Sequence, residues 1–170
     1  KAVCADVEFS ALDATRADEE CLIAAVKEAE ANGAVMVTIC DDAGNSTPDE
    51  IAALVAKVKE AVQVPVYVRV SDRINMAVAS AFAAIGKGVD GLKCAMAGKD
   101  ALLVGELSDA MSACGAQIGA EMKLDITKIH ASIDDIVSSI SHDDYESETT
   151  VSDKKKLLLD SEATVAQVAQ

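Results

Sequence analysis

Polar and charged side chains lie at the ends of several apolar segments of this sequence. A carboxylate and a cation placed together can form an ion pair, and free cations can bind a small anion. No Ser-His-Asp or Cys-His arrangement, phosphate-binding loop or flavin fingerprint competes with them. The sequence assigns no catalytic residue. The candidate anion- or substrate-binding residues are Glu8, Ser10, Thr38, Asp41, Arg69, Ser71 and Lys93.

The segments before these residues alternate between two kinds of pattern. Apolar runs typical of buried strands cover residues 3–9, 34–40, 64–70 and 91–97. Helical patterns follow them over about residues 18–31, 47–62, 74–86 and 101–114. The strongest helix start has Thr47 as N-cap, Pro48 at the first helical position and Glu50 closing a capping box.

Four consecutive strand-helix units with short connections predict an α/β fold with a parallel sheet and helices outside it. Two architectures have this order: a doubly wound open sheet and a section of a (β/α) barrel. In both, ligands bind at the carboxyl ends of the strands. The candidate residues lie at those ends.

The composition excludes several classes of function. A net charge of −14 disfavours nucleic acid and anionic membranes as partners. The sequence has no signal peptide and no apolar run long enough to span a bilayer. Its five cysteines are odd in number and form no C-x-x-C pair, which indicates reduced thiols. We therefore predict a cytoplasmic protein.

The sequence changes character after the four units, so we predict a half barrel over residues 1–120. Residues 121–141 carry an isoleucine stripe typical of an amphipathic helix that packs on the barrel or on a partner. Residues 142–156 read as an acidic, polar linker, and residues 157–170 as the start of a helical subdomain. His130 and His142 lie on this tail and are expected at the surface.

Three segments carry a resemblance to a known superfamily. They are VEFSALDATRAD at residues 7–18, TICDDAGNSTPDE at 38–50 and RVSDRINMAVASAFAAIGKGVDGLKC at 69–94. They resemble the metal-dependent acyl-CoA condensing and cleaving barrels, which include 2-isopropylmalate synthase, homocitrate synthase and hydroxymethylglutaryl-CoA lyase. The resemblance implies strands five to eight of a TIM barrel. It also implies a Claisen condensation of acetyl-CoA with a 2-oxo acid, assisted by a divalent metal.

The resemblance breaks at the metal site. The family places two histidines at alternate positions of one strand, and these positions hold Arg69 and Ser71 here. A guanidinium cannot ligate a cation, and a lone hydroxyl binds one poorly. We therefore predict no metal and no cofactor, and a non-catalytic module for small-anion binding or assembly. The alternative is part of an acetyl-CoA-dependent synthase.

The role of Arg69 has two interpretations. By the family's geometry, Arg69 and Ser71 face the barrel axis together with Glu8, Ser10, Thr38, Cys40 and Lys93. In the first interpretation Arg69 replaces the metal with a fixed positive charge and holds Glu8 in a structural ion pair. In the second, Arg69 and Lys93 bind the carboxylate of a small anion such as an oxo acid.

A half barrel has two open sheet edges that invite pairing. We expect a homo-oligomer, or pairing with an N-terminal half barrel that is missing from this sequence. The first residue stands just before a strand pattern and the last within a helical one, so we expect a fragment of a longer protein. A third hypothesis, an unrelated flavodoxin-like module, predicts strand order 2-1-3-4.

Overall fold

The computed structural model describes residues 4–139, which form four strands and five α-helices. The strands are β1 (Glu8–Ala11), β2 (Met36–Cys40), β3 (Val66–Arg69) and β4 (Gly91–Leu92). The helices are α1 (Glu19–Ala31), α2 (Pro48–Ala61), α3 (Ala77–Ile85), α4 (Val104–Cys114) and α5 (Ile126–Ser139). Short 3-10 helices cover Ala14–Arg16 and Gly115–Ile118. His142, the linker and the 157–170 segment lie outside the described residues.

The four strands form one parallel sheet in the order β1-β2-β3-β4. Each strand therefore pairs with its neighbour in sequence, and a helix connects each pair. This arrangement confirms the predicted α/β fold as a section of a (β/α) barrel. It excludes the 2-1-3-4 order of a flavodoxin-like module.

The apolar core lies on one face of β3. Val66 and Val68 are completely buried and belong to one cluster with Val55 and Val58 of α2. Their neighbours Tyr67 and Arg69 are half-buried and exposed, respectively, because successive strand residues point to opposite faces. The polar face of β3 is thus the one that carries the candidate residues.

Strand lengths differ from the sequence-based expectation at the two outer strands. The strand predicted over residues 3–9 begins at Glu8, where its pairing with Met36 of β2 begins. The strand predicted over residues 91–97 ends at Leu92, and only an isolated bridge from Ala95 to Leu103 follows. Among residues 4–139, each outer strand pairs with one neighbouring strand, so its length depends on that neighbour rather than on its apolar run.

The starts of α1 and α2 agree closely with the sequence, whereas α3 and α4 begin three residues later than predicted, at Ala77 and Val104. Asp18 caps α1 by accepting a hydrogen bond from the Cys21 backbone N–H at 3.0 Å. Thr47 and Glu50 form the predicted capping box at the start of α2. These signals are local, because each joins residues no more than one helical turn apart.

A glycine on β4 makes room for an aromatic ring. A Cβ at Gly91 would lie 1.7 Å from Cε1 of Tyr67, so the Tyr67 ring covers the backbone at this position. The two residues are paired in the β3–β4 register. The polar face of the sheet is therefore partly filled beside its β4 edge.

The first part of α5 contacts α4. His130 Nε2 lies 2.9 Å from Asp109 Oδ1, and a Cβ at Gly105 would lie 3.0 Å from Cδ1 of Ile133. His130 remains at the surface, with 41% of its side chain exposed. No helix within residues 4–139 is long and apolar enough to cross a membrane.

Candidate functional site

Three candidate residues converge on the carboxylate of a fourth, Glu8. Glu8 Oε1 accepts hydrogen bonds from Ser10 Oγ at 2.9 Å and from Thr38 Oγ1 at 2.6 Å. Lys93 Nζ donates to the same oxygen and forms an ion pair with it. Thr38 is completely buried, and 25% of the Glu8 side chain is exposed. The structure therefore brings Glu8, Ser10, Thr38 and Lys93 together, as the axial arrangement predicts. The expected place of Glu8 at the carboxyl end of its strand is wrong, because the strand begins at Glu8, where its pairing with Met36 begins.

The contact between Glu8 and Lys93 joins the two outer strands of the sheet. In a flat sheet of four strands the outer two would lie about 14 Å apart, with their side chains perpendicular to the sheet. Lys93 follows β4, held by its backbone N–H on Val68 O at 2.9 Å. The two side chains meet only because the sheet curves around them, as it does in a barrel.

The Glu8 cluster fixes the charge of its carboxylate. The hydrogen bond from Lys93, followed by that from Thr38, lowers the pKa of Glu8 from 4.5 to about 2, against the opposing effect of burial. Glu8 therefore stays ionised at every pH in which the protein is handled under native conditions. It is an acceptor in this network rather than a proton donor.

Substitution of Glu8 by glutamine should destabilise the protein in a pH-dependent way. Because the folded-state pKa lies below the unfolded one, Glu8 stabilises the fold fully above about pH 4.5. That stabilisation is lost as the pH falls toward about 2. Lys93 is 38% exposed and the pair is screened, so we expect a cost of about 1–2 kcal/mol at neutral pH.

Urea denaturation of wild type and Glu8→Gln across this pH range measures the effect. The difference between the two proteins should shrink as the pH falls below about 4.5. A difference that does not change with pH would contradict the depressed pKa. Lys93→Met is the matched variant, and an NMR titration should show the pKa of Glu8 rising in it.

Arg69 belongs to a second cluster, at the carboxyl ends of β2 and β3. Its guanidinium pairs with Asp42 Oδ1, and Asp42 Oδ2 accepts the Asp13 backbone N–H at 2.7 Å. The expected ion pair between Arg69 and Glu8 is therefore wrong, since Glu8 pairs with Lys93. Arg69 is aligned with Cys40 of β2, whereas Glu8 is aligned with Met36. Cys40 and Met36 are four residues apart on β2, so Arg69 and Glu8 lie about 13 Å apart along the strand direction.

Asp42 is absent from the candidate residues although it provides the counter-charge for Arg69. The signal is present in the sequence, since two consecutive carboxylates follow β2 at Asp41 and Asp42. In the family comparison Asp41 matches the aspartate of the pattern and Asp42 replaces its threonine. The sequence does not reveal that Asp42 would turn toward the end of β3.

Asp41 organises the loop between β2 and α2. It is 4% exposed, and its Oδ1 accepts from Thr15 Oγ1 at 2.8 Å, Gly44 N at 3.2 Å and Ser46 Oγ at 3.5 Å. These bonds join the segment after β1 to the segment after β2. Asp41 thus has a structural task, and its carboxylate is already occupied on one oxygen.

Ser71 is also engaged by protein groups. Its Oγ donates to the Asp100 backbone carbonyl at 3.0 Å and accepts from the Arg73 N–H at 3.4 Å. The nearby Cys40 thiol is buried, and burial raises its pKa. Within residues 4–139, no three His, Cys, Asp or Glu side chains are grouped so that they could hold a metal ion.

Comparison with known proteins identifies the family. A family model described as HMGL-like matches residues 1–137. The chain belongs to the HMGL-like family. This result confirms the resemblance carried by the three sequence segments, and it includes all four strands of the half barrel.

Curated relatives of this HMGL-like chain are named as synthases. A Methanopyrus kandleri protein named "Probable 2-isopropylmalate synthase" is 43% identical over 84 residues, which is 49% of this chain and 17% of that protein. The 2-isopropylmalate synthase of Xylella fastidiosa strain M23 is 39% identical over 97 residues, covering 55% of this chain and 19% of that protein. The chain thus spans less than a fifth of the length of these relatives.

Solved structures agree on the fold. The carboxyl transferase domain of Rhizobium etli pyruvate carboxylase with pyruvate aligns with a TM-score of 0.61 at 23% identity. The alignment covers 75% of this chain and 22% of that one. At this level of identity the similarity establishes a shared architecture.

Proposed function

We propose that this HMGL-like half barrel is a metal-free, non-catalytic module whose role is assembly. The observation that carries the proposal is the Arg69–Asp42 ion pair. It stands at the strand position where the family resemblance places a metal-binding histidine. A fixed positive charge with its own carboxylate replaces a ligand there.

The neighbouring donors do not fit a divalent metal either. A guanidinium has no lone pair to offer, and the Ser71 hydroxyl is already bonded to Asp100 and Arg73. Asp42 carries a charge opposite to that of Arg69, so a cation would have to compete with the guanidinium for it. We therefore derive no catalytic step through a metal.

Assembly is better supported than small-anion binding. Lys93 and Arg69 are each paired with a carboxylate, Glu8 and Asp42 respectively, so neither cation is available without breaking an ion pair. The local charge of the four groups sums to zero. A small anion would therefore meet no net positive charge from either ion pair.

Metal content and acetyl-CoA turnover test the proposal together. The purified chain, prepared without chelators, should contain far less than one equivalent of zinc, manganese or magnesium. It should release no coenzyme A from acetyl-CoA in the presence of 2-oxo acids. The Xylella fastidiosa 2-isopropylmalate synthase, assayed in parallel, is the positive control. Stoichiometric metal together with product would overturn the proposal.

A second candidate function is part of an acetyl-CoA-dependent synthase. The names of the curated relatives favour it. In that case the chain would acquire activity when a complementary barrel half is supplied. The same turnover assay, repeated with the N-terminal half of the relative added, distinguishes the two. The cytoplasmic location and the lack of nucleic-acid and membrane partners stay predictions.

A further inference from the structure

An Asn-Gly pair ends the first helix of this chain. Asn32 is the C-cap of α1, and Gly33 follows it with a φ of +92°. The Gly33 N–H donates to Glu30 O at 2.8 Å and the Ala34 N–H donates to Ala29 O at 2.9 Å, which together form a Schellman motif. Because this left-handed backbone favours glycine, the helix end itself places a glycine after the asparagine.

An Asn-Gly pair can react without an enzyme. The backbone nitrogen of Gly33 attacks Cγ of Asn32 and closes a succinimide ring, while the Gly33 N–H proton and the Asn32 side-chain amino group leave together as ammonia. Water then opens the ring at either carbonyl and leaves aspartate or isoaspartate. Glycine favours the attack because it has no side chain to shield its nitrogen. The two other asparagines of the chain, Asn45 and Asn75, precede a serine and a methionine.

The closed helix end holds both reacting groups away from each other. The Gly33 nitrogen is committed to its hydrogen bond with Glu30 O. Asn32 Nδ2 donates to Glu28 O at 2.8 Å and to Glu28 Oε1 at 2.7 Å, which directs the amide back along the helix. The ψ of Asn32 is 8°, which turns the Gly33 nitrogen away from the Asn32 side chain. Ring closure therefore requires the last turn of α1 to open.

We propose that Asn32 is a deamidation site whose reaction is controlled by the opening of the last turn of α1. Asn32 is exposed, and helix ends open locally at a far lower free energy than the core. The reactive conformation is therefore reached without global unfolding. This inference goes beyond the proposed assembly function and does not depend on it.

The product cannot rebuild the closed helix end. An aspartate at this position has no N–H to donate to Glu28, and its charge lies against the Glu28 carboxylate. The new charge also stands at the negative end of the α1 dipole, where the last turn has no basic residue. Deamidation therefore favours the open conformation from which it occurs.

The consequence extends to the segment that leads into β3. Glu30 Oε1 accepts the backbone N–H groups of Gln63 and Val64 at 2.8 and 3.0 Å. The backbone carbonyl of the same residue accepts the Gly33 N–H. Glu30 thus joins the end of α1 to the start of the β3 segment. A helix end that stays open should loosen both.

Mass spectrometry of the 170-residue chain, incubated at neutral pH, tests the site. Peptides that contain Asn32 should gain the mass difference between an amide and an acid before peptides that contain Asn45 or Asn75. In the chain unfolded in guanidinium chloride at the same pH, Asn32 should react at least about tenfold faster, because no helix turn has to open. Equal rates in the folded and unfolded chain would overturn the control by α1. Earlier reaction at Asn45 or Asn75 would overturn the site, as would a folded chain in which Asn32 never reacts.

Hydrogen exchange of two aspartate variants tests the consequence. Asn32→Asp introduces the product directly, and its Gly33 and Val64 amides should exchange about tenfold faster than those of the wild type. Asn45→Asp adds the same charge in the loop before α2 and should leave both amides unchanged. Circular dichroism verifies that both variants are folded. Unchanged exchange in Asn32→Asp, or equal acceleration in the two variants, would contradict the proposed coupling.

Discussion

The Gly44→Ala substitution should lower the free energy of unfolding by about 2–4 kcal/mol. Gly44 has a φ of +63°, and a Cβ there would lie 2.5 Å from Ser71 Oγ and 2.9 Å from Arg73 Cβ. The left-handed backbone costs about 1 kcal/mol for alanine, and the overlap costs about 1–3 kcal/mol more. Urea denaturation at neutral pH measures the sum.

Gly88 supplies the matched control. Its φ is +76°, but a Cβ there would meet nothing within 4 Å. Gly88→Ala should therefore cost only the backbone part, about 1 kcal/mol. Adding Ser71→Gly to Gly44→Ala should recover part of the loss by removing the nearest atoms. Equal costs for the two alanine variants would contradict the close approach between the loops.

Substitution of Asp41 by alanine should cost a similar amount, about 2–4 kcal/mol. The variant leaves the Gly44 N–H without its acceptor and takes a partner from the Thr15 hydroxyl. Both groups lose a bond in a place where the carboxylate is 4% exposed. The connection between the segments after β1 and β2 should loosen, which hydrogen exchange at Thr15 and Gly44 would show.

Two further substitutions separate the causes. Asp41→Asn keeps an oxygen that can accept hydrogen bonds, so we expect it to lose about half as much stability as the alanine variant. Asp49→Ala removes an exposed carboxylate from the first turn of α2. That control should cost no more than about 1 kcal/mol. If Asp41→Ala lowers the free energy of unfolding no more than Asp49→Ala does, the structural role assigned to Asp41 is wrong.

Local signals in the sequence predicted much of the fold. The capping box of Thr47 and Glu50 joins residues one turn apart, and it starts α2 where expected. The order of strand and helix patterns was sufficient to predict a parallel sheet with sequential neighbours. The grouping of Glu8, Ser10, Thr38 and Lys93 follows from the alternation of strand side chains together with the barrel resemblance.

The pairing of charges could not be predicted in the same way. Which carboxylate Arg69 meets depends on the register between β2 and β3 and on the course of the following loop. Neither the register nor the course of the loop can be predicted from the spacing of residues along the sequence. The bounds of β1 and β4 could not be predicted for a similar reason, because a strand continues only as far as its neighbour provides hydrogen bonds.

The bond between Glu8 and Lys93 also has a consequence for the order of folding. The two residues are 85 positions apart, so we expect their contact to form only after the β-α units between them have assembled. We expect an interaction made this late to be absent from the folding transition state. Its loss should therefore speed unfolding and leave the folding rate nearly unchanged. The Glu8–Lys93 ion pair would then slow the unfolding of the curved sheet without changing how fast it folds.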